Sequence, residues 1–184
     1  MKRNLMIIAL TFFSVAAWSQ ENRFTLSGGY AFANIEAVDT DATGFRINGL
    51  YELNPLGGKV AHGFSIGYIG TSADFAGVAG QSNEYKINSW PVYYAPKLMF
   101  GDGSVQGFIK GALGMQFSGL TRTGTLGEFN DKDFGFYGGA GAGIMKTFNE
   151  KMFVNLEYEW AYLSNSFYKD GFMNSIMLGI GFKF

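Results

Sequence analysis

The last residues of the chain, NSIMLGIGFKF (residues 174–184), alternate between large apolar side chains and small or polar ones. The apolar set occupies every second position and includes the final residue: Ile176, Leu178, Ile180, Phe182 and Phe184. A period of two is typical of a β-strand whose two faces meet different surroundings. Because a soluble chain usually frays at its end, this pattern predicts a closing strand with one face toward lipid.

The same alternation recurs upstream, whereas no stretch beyond residue 20 has helical spacing over three turns. Seven further strands are expected, within residues 24–32, 45–53, 62–68, 90–100, 109–117, 134–144 and 154–162. Tyr85 and Ile87 fall on the opposite parity from Trp90, so we expect a bulge near residues 88–89. Glycine, with 27 residues, and an aromatic content of 17% favour curved β-structure in apolar surroundings over a helical bundle.

Two kinds of connection alternate between these strands. Tight turns are expected at 54–58, 101–104 and 149–151, and longer polar loops near 34–43, 70–84, 119–132 and 163–174. The alternation and the even strand number predict an all-β fold, an eight-stranded antiparallel up-and-down transmembrane β-barrel. A strand tilted by about 45° needs roughly 11 residues to cross an apolar band of about 25 Å, so ten strands would not fit. A soluble lipocalin-like barrel, the other interpretation, would have an apolar interior and a polar exterior.

The N-terminal segment has the pattern of a secretory signal peptide. Basic residues Lys2 and Arg3 precede an apolar run at 5–15, and small residues Ala17 and Ser19 precede Gln20. The run is shorter than the roughly 20 residues of a spanning helix. We therefore expect a signal peptide at 1–19, a barrel domain at 20–184 and a location in the bacterial outer membrane. The sequence has no cysteine, which excludes disulfides.

The sequence resembles the small outer-membrane β-barrels of the OmpA and OmpX type, in the form common in Bacteroidetes-like bacteria. The resemblance rests on the closing strand, on GGAGAGIMKTFNEKMFVNLEYEW (138–160) and on INSWPVYYAPKLMF (87–100). It implies insertion by the barrel-assembly machinery, which reads the terminal aromatic strand, and it implies no reaction. Phe182 and Phe184 are then the expected assembly signal and interface anchor.

The inward face of such a barrel decides whether it conducts, because eight strands enclose a lumen that side chains can fill. Three cations and three carboxylates share the inward parity and are predicted to pair as a plug: Arg46, Glu52, Lys97, Lys110, Glu157 and Glu159. Inward glycines, among them those at 139, 141, 143 and 181, would leave room for Tyr93, Phe108 and Tyr137. A sealed polar core is the favoured interpretation. A narrow passive channel for small or hydrophobic solutes is the alternative.

The sequence offers little for catalysis. His62 is the single histidine, and Ser65 is the nearby serine that it could activate as a nucleophile. The two residues are three positions apart, so their side chains leave opposite faces of the strand and cannot form such a pair. The glycines at 139–143 lack both the spacing and the following helix of a nucleotide-binding loop. We therefore expect a non-enzymatic protein without a cofactor.

The expected loops carry more acidic than basic residues, which argues against nucleic acid as a partner. The acidic pairs at 39/41 and 131/133 offer oxygen ligands for a divalent cation, but neither lies in a complete calcium loop, and solvated loops are favoured. Phe167, Tyr168 and Phe172 are expected beyond the bilayer, as candidates for a surface contact. Outer-membrane lipid and lipopolysaccharide are the expected partners of a monomeric protein.

Overall fold

The computed structural model describes residues 20–36, 40–55, 58–76, 82–124 and 127–184, and the expected signal peptide lies outside them. Eight antiparallel strands form a closed barrel in chain order, which confirms the predicted fold. No helix in the described part of the chain is long and apolar enough to span a bilayer. The strands are β1 (Gln20–Ile35), β2 (Thr40–Pro55), β3 (Val60–Ala76), β4 (Ser82–Phe100), β5 (Val105–Gly124), β6 (Gly127–Thr147), β7 (Met152–Leu163) and β8 (Tyr168–Lys183).

Closure of the barrel joins the first strand to the last. Phe24 of β1 pairs with Phe182 of β8, and Tyr30 pairs with Ile176. The segment quoted at the outset is therefore the closing strand, as its alternation predicts. Pairing on both sides removes the exposed backbone edge that would otherwise make a terminal strand fray or aggregate.

The two faces of the wall have opposite chemistry. Large apolar side chains point outward, with Ile66 and Leu178 about three-fifths exposed (61% and 62%). Polar and charged side chains such as Arg46 and Gln116 point inward and are fully buried. This is the inverse of a soluble lipocalin-like barrel, and it is the arrangement that a lipid solvent requires.

At the end of the barrel away from the tight turns, the inward face of the wall becomes apolar and the outward face polar. Two predictions are corrected there. In β4 the register continues through Ser89 without a bulge, and Tyr85 and Ile87 simply point inward. This is the change expected where a barrel wall leaves a bilayer, because water outside the wall then favours apolar side chains on the inside. The predicted long loops are also wrong in extent, because the strands continue through most of them, and the β5–β6 pairing ends only at Gly124 and Gly127.

Three layers fill the lumen. At the end that holds the tight turns, which we call the turn end, an apolar floor consists of Met99, Phe108, Met145 and Phe153. A polar middle layer carries the charged residues described below. At the opposite, loop end, an apolar cap lies over them and includes Ile35, Ile69, Ile87, Leu163 and Met173. The charges are thus enclosed between two apolar layers.

Candidate functional site

The middle of the lumen holds a cluster of four buried charges. Arg46 of β2 and Glu159 of β7 form an ion pair with Nη1 2.8 Å from Oε1, and both side chains are fully buried. Lys110 of β5 lies between the two glutamates of β7, 2.7 Å from Oε2 of Glu159 and in direct contact with Glu157. Two cations face two carboxylates, so this cluster is neutral.

A second ion pair lies nearer the turn end. Nζ of Lys97 is 2.7 Å from Oε1 of Glu52, and it also lies 4.7 Å from the ring centroid of Phe108. The contact has ion-pair distance without hydrogen-bond geometry, and neither carboxylate oxygen of Glu52 has a hydrogen-bond partner in the described part of the chain. The six plug residues of the sequence prediction are therefore all buried and lie in two groups. That they block ions remains a prediction.

Hydrogen bonds join the four-charge cluster to most of the wall. Tyr137 of β6 donates to Glu159, while Arg46 donates to Ser175 of β8 at 3.1 Å and to Tyr93 of β4 at 3.0 Å. The rings of Tyr93 and Tyr137 stack with their centroids 4.8 Å apart. The sequence prediction treated these tyrosines as space-filling and missed their polar role. Their inward parity beside charged positions was the available signal, since a buried tyrosine hydroxyl usually finds a partner.

Glycines on the inward face make room for the floor. A Cβ at Gly181 would lie 2.0 Å from Cζ of Phe153, and one at Gly143 would lie 2.5 Å from Cζ of Phe108. Both distances are far inside van der Waals contact, so larger residues at these positions would displace the aromatic rings. The floor therefore depends on inward glycines, in line with the sequence expectation.

The C-terminal residues lie on the outer surface at the turn end. Phe182 and Phe184 point outward, and the Phe184 ring centroid is 6.2 Å from that of Tyr51. The backbone N–H and C=O of Phe184 both hydrogen bond to Asn22 of β1, at 2.9 and 3.1 Å. The outward rings at this end suit the predicted interface anchor, and the anchor and assembly-signal roles both remain predictions.

Replacing Phe184 with alanine is expected to lower the yield of barrel inserted into the outer membrane severalfold, because the terminal ring is the proposed signal for the assembly machinery. Phe148→Ala is the matched control, since Phe148 is similarly exposed beside a tight turn but lies inside the chain. Membrane fractionation with a heat-dependent gel shift measures both yields. Equal yields for the two variants would contradict the assembly role.

The aromatic residues of the predicted loop near 163–174 do not form the exposed cluster that the sequence predicts. Phe167 and Tyr168 are 4% and 2% exposed and belong to the apolar cap, and the Tyr168 hydroxyl lies 2.9 Å from Oγ1 of Thr71. The expected exposure of these two residues is wrong, because Phe167 lies in a bend just before β8, Tyr168 is the first residue of β8, and both rings pack into the cap. Phe172 does point outward and stacks on Trp160 at 4.8 Å.

The remaining candidates for chemistry lie apart. His62 is on the outer surface beside Tyr94, whereas Ser65 is buried and donates to Asn48. The carboxylates of Asp131 and Asp133 accept backbone N–H groups at 2.8 Å. Within the described residues, no three histidine, cysteine or acidic side chains form a group that could hold a metal ion. Asp39 lies outside the described residues.

The fold and its inverted faces agree with comparisons to known proteins. The family model described as "Outer membrane protein beta-barrel domain" matches residues 5–184. The chain belongs to this outer-membrane β-barrel family. Short turns of such barrels face the periplasm and the opposite end faces the cell exterior. No curated protein matches the sequence.

Solved barrels of low sequence identity share the fold. Neisserial surface protein A matches with a TM-score of 0.66 and 11% identity, over 89% of this chain and 97% of that one. Ail, the attachment invasion locus protein of Yersinia pestis, matches with a TM-score of 0.58 and 16% identity, over 90% and 99% of the two chains. OprG of Pseudomonas aeruginosa matches at 0.52 and 11% identity, over 90% and 97%. At these identities the likeness is one of fold.

Proposed function

We propose that this protein is a non-enzymatic barrel of the bacterial outer membrane, exported by its signal peptide, with a lumen closed to solutes and a role in membrane structure or surface contact. The observation that carries the proposal is the neutral four-charge cluster of Arg46, Lys110, Glu157 and Glu159, buried between an apolar floor and an apolar cap.

Conduction through this lumen would require two costly steps. A permeating ion would have to cross both apolar layers, where a charge loses its hydration without gaining partners. It would also have to separate the Arg46–Glu159 pair, and breaking a buried ion pair costs about 3–5 kcal/mol. Filling by the barrel's own side chains is also what an eight-stranded barrel permits geometrically.

A contact role is supported by a sheet that rises above the rest of the barrel at the loop end. The pairing of β6 with β7 ends at Tyr137 and Leu163, whereas β5 and β6 continue together to their tips. The rising part of β6 exposes Phe129, which is 60% accessible, beside acidic residues. A protruding aromatic and charged surface suits recognition better than transport.

The proposal is tested by conductance of the purified full chain in planar lipid bilayers. No steady openings are expected for the natural sequence. Glu157→Gln, which leaves the cluster with unequal charge, is expected to give openings or leak because water must then enter to solvate the excess cation. Steady openings of the natural protein that disappear in Arg46→Ala would contradict the sealed lumen and favour a channel.

A narrow channel is the second candidate, and one observation favours it. The Glu52 carboxylate and Nε2 of Gln116 are buried without hydrogen-bond partners in the described part of the chain. Buried polar groups of this kind are usually satisfied by water. The same recordings decide between the candidates, since isolated internal waters give no steady current and a continuous file of water does.

A further inference from the structure

A wide bulge interrupts the seam between β1 and β8 at the loop end. Tyr168 pairs with Ile35 and Met173 pairs with Ala33, so residues 169–172 of β8 lie opposite the single residue Asn34 of β1. The bulge carries two consecutive left-handed residues, Asp170 with φ 54° and Gly171 with φ 72°. A left-handed non-glycine residue is strained, and bulges and strain of this kind concentrate near functional sites.

The bulge opens a cavity of about 470 Å³ on the outer surface of the barrel. Its wall combines aromatic rings, carboxylates, two amides and an ammonium group. The residues used in the argument below are Phe32, Asn34, Asp41, Lys169, Asp170 and Phe172. Another cavity on the outer wall, lined by Ile47, Ile66 and Trp90, is apolar and suits a lipid acyl chain. The bulge cavity, whose lining mixes aromatic rings with charged and amide groups, suits an occupant with both polar and apolar faces.

The chemistry of the wall favours a sugar. Asp41 and Asp170 offer carboxylate acceptors, and Oδ1 of Asn34 is buried without a hydrogen-bond partner in the described part of the chain. An excess of acceptors fits a ligand rich in hydroxyl donors and disfavours a bare phosphate, which brings only negative charge. Phe32 and Phe172 add apolar faces on which a sugar ring can pack.

The level of the cavity along the barrel axis indicates which molecule would carry the sugar. Phe172 stacks on Trp160 and meets Tyr162 edge-on, with ring centroids 5.5 Å apart. These rings belong to a belt of outward-facing aromatic side chains toward the loop end of the barrel, which also includes Phe117, Phe134 and Tyr158. Such belts mark the level of the lipid head groups. The cavity opens toward neighbouring lipids at that level and not into the lumen, so a sugar attached to an outer-leaflet lipid would reach it directly.

We propose that this cavity binds a sugar residue of a glycolipid of the outer leaflet, the saccharide head of lipopolysaccharide. The site rests on the proposed outer-membrane location and is independent of whether the lumen conducts. The sugar's hydroxyls donate to Asp41, Asp170 and the orphan Oδ1 of Asn34. Its apolar face packs between the two phenylalanines.

Native mass spectrometry of the detergent-purified full chain tests the site, with lipopolysaccharide and phosphatidylglycerol as competing probes. The natural protein is expected to retain lipopolysaccharide preferentially. Asn34→Ala/Asp41→Ala is expected to weaken this binding about tenfold, the effect of losing one or two hydrogen bonds. The matched control is Asn130→Ala/Asp131→Ala, which removes the same residue types from the rising sheet and should bind normally.

Three results would overturn the inference. Unchanged binding by the Asn34/Asp41 variant would exclude the cavity, and equal retention of phosphatidylglycerol would exclude a sugar. Failure of the deacylated oligosaccharide, which keeps the sugars and lacks the acyl chains, to compete for the site would show that acyl chains and not a sugar carry the binding. If the double variant does not fold, Phe172→Ala removes one aromatic wall instead and is expected to weaken binding several-fold. Conductance and membrane fractionation test the proposed function separately from all these outcomes.

Discussion

Replacing Glu159 with glutamine is expected to lower the free energy of unfolding by about 3–5 kcal/mol, the cost of removing one partner from a buried ion pair. Glu159 contacts Arg46 and Lys110 and accepts the hydroxyl of Tyr137. Without its charge, two buried cations would share only the carboxylate of Glu157. Few point substitutions elsewhere in the lumen should cost as much, because few would leave an unbalanced charge.

Urea unfolding of the protein in lipid vesicles, followed by tryptophan fluorescence, measures this loss. Glu128→Gln is the control, because Glu128 is exposed on the β5–β6 hairpin and its loss should change stability by no more than about 0.5 kcal/mol. Arg46→Met/Glu159→Gln removes charges of both signs and should recover much of the stability, since uncharged replacements of a buried pair are often tolerated. If Glu159→Gln were as stable as Glu128→Gln, the cluster would not be the polar core described here.

Replacing Gly29 with alanine is expected to leave little folded barrel. A Cβ at Gly29 would lie 1.9 Å from the carbonyl oxygen of Ile176 and 2.7 Å from Cα of Met177. Both atoms belong to the backbone of β8, so no side-chain rotation relieves the clash and the closing seam itself must move. Overpacking usually costs about 1–3 kcal/mol, and a clash with backbone at the seam should fall at or above the upper end.

Gly28 provides the control for this substitution. A Cβ at Gly28 would lie 3.8 Å from the nearest atom, the carbonyl oxygen of Arg46, which is ordinary contact. Gly28→Ala should therefore insert and migrate like the natural protein, while most Gly29→Ala protein should lack the heat-dependent gel shift. Equal folded fractions for the two variants would show that the seam tolerates a side chain and that the close approach of β1 to β8 is not required.

Much of the barrel wall could be predicted from local pattern. Each residue of a strand points to one of two faces, so a single parity assigns Phe182 to lipid and Arg46 to the lumen without knowledge of any neighbour. The same reasoning failed at Tyr85 and Ile87, because the pattern assumes lipid outside along the whole strand. Beyond the bilayer the outside of β4 meets water. The same positions still point inward there, but they hold apolar side chains instead of polar ones.

The sequence by itself determined the class of the protein, the number of strands, the inward and outward faces of their membrane-spanning parts and the closing role of residues 174–184, because alternation is a property of neighbouring residues. Only the tertiary structure decided which charges meet, since Arg46 and Glu159 come together across the lumen from distant strands. It also decided that Phe167 and Tyr168 cap the interior and that β8 bulges opposite Asn34. Those features depend on the stagger of all eight strands around a closed wall, and closure is a property of the whole chain.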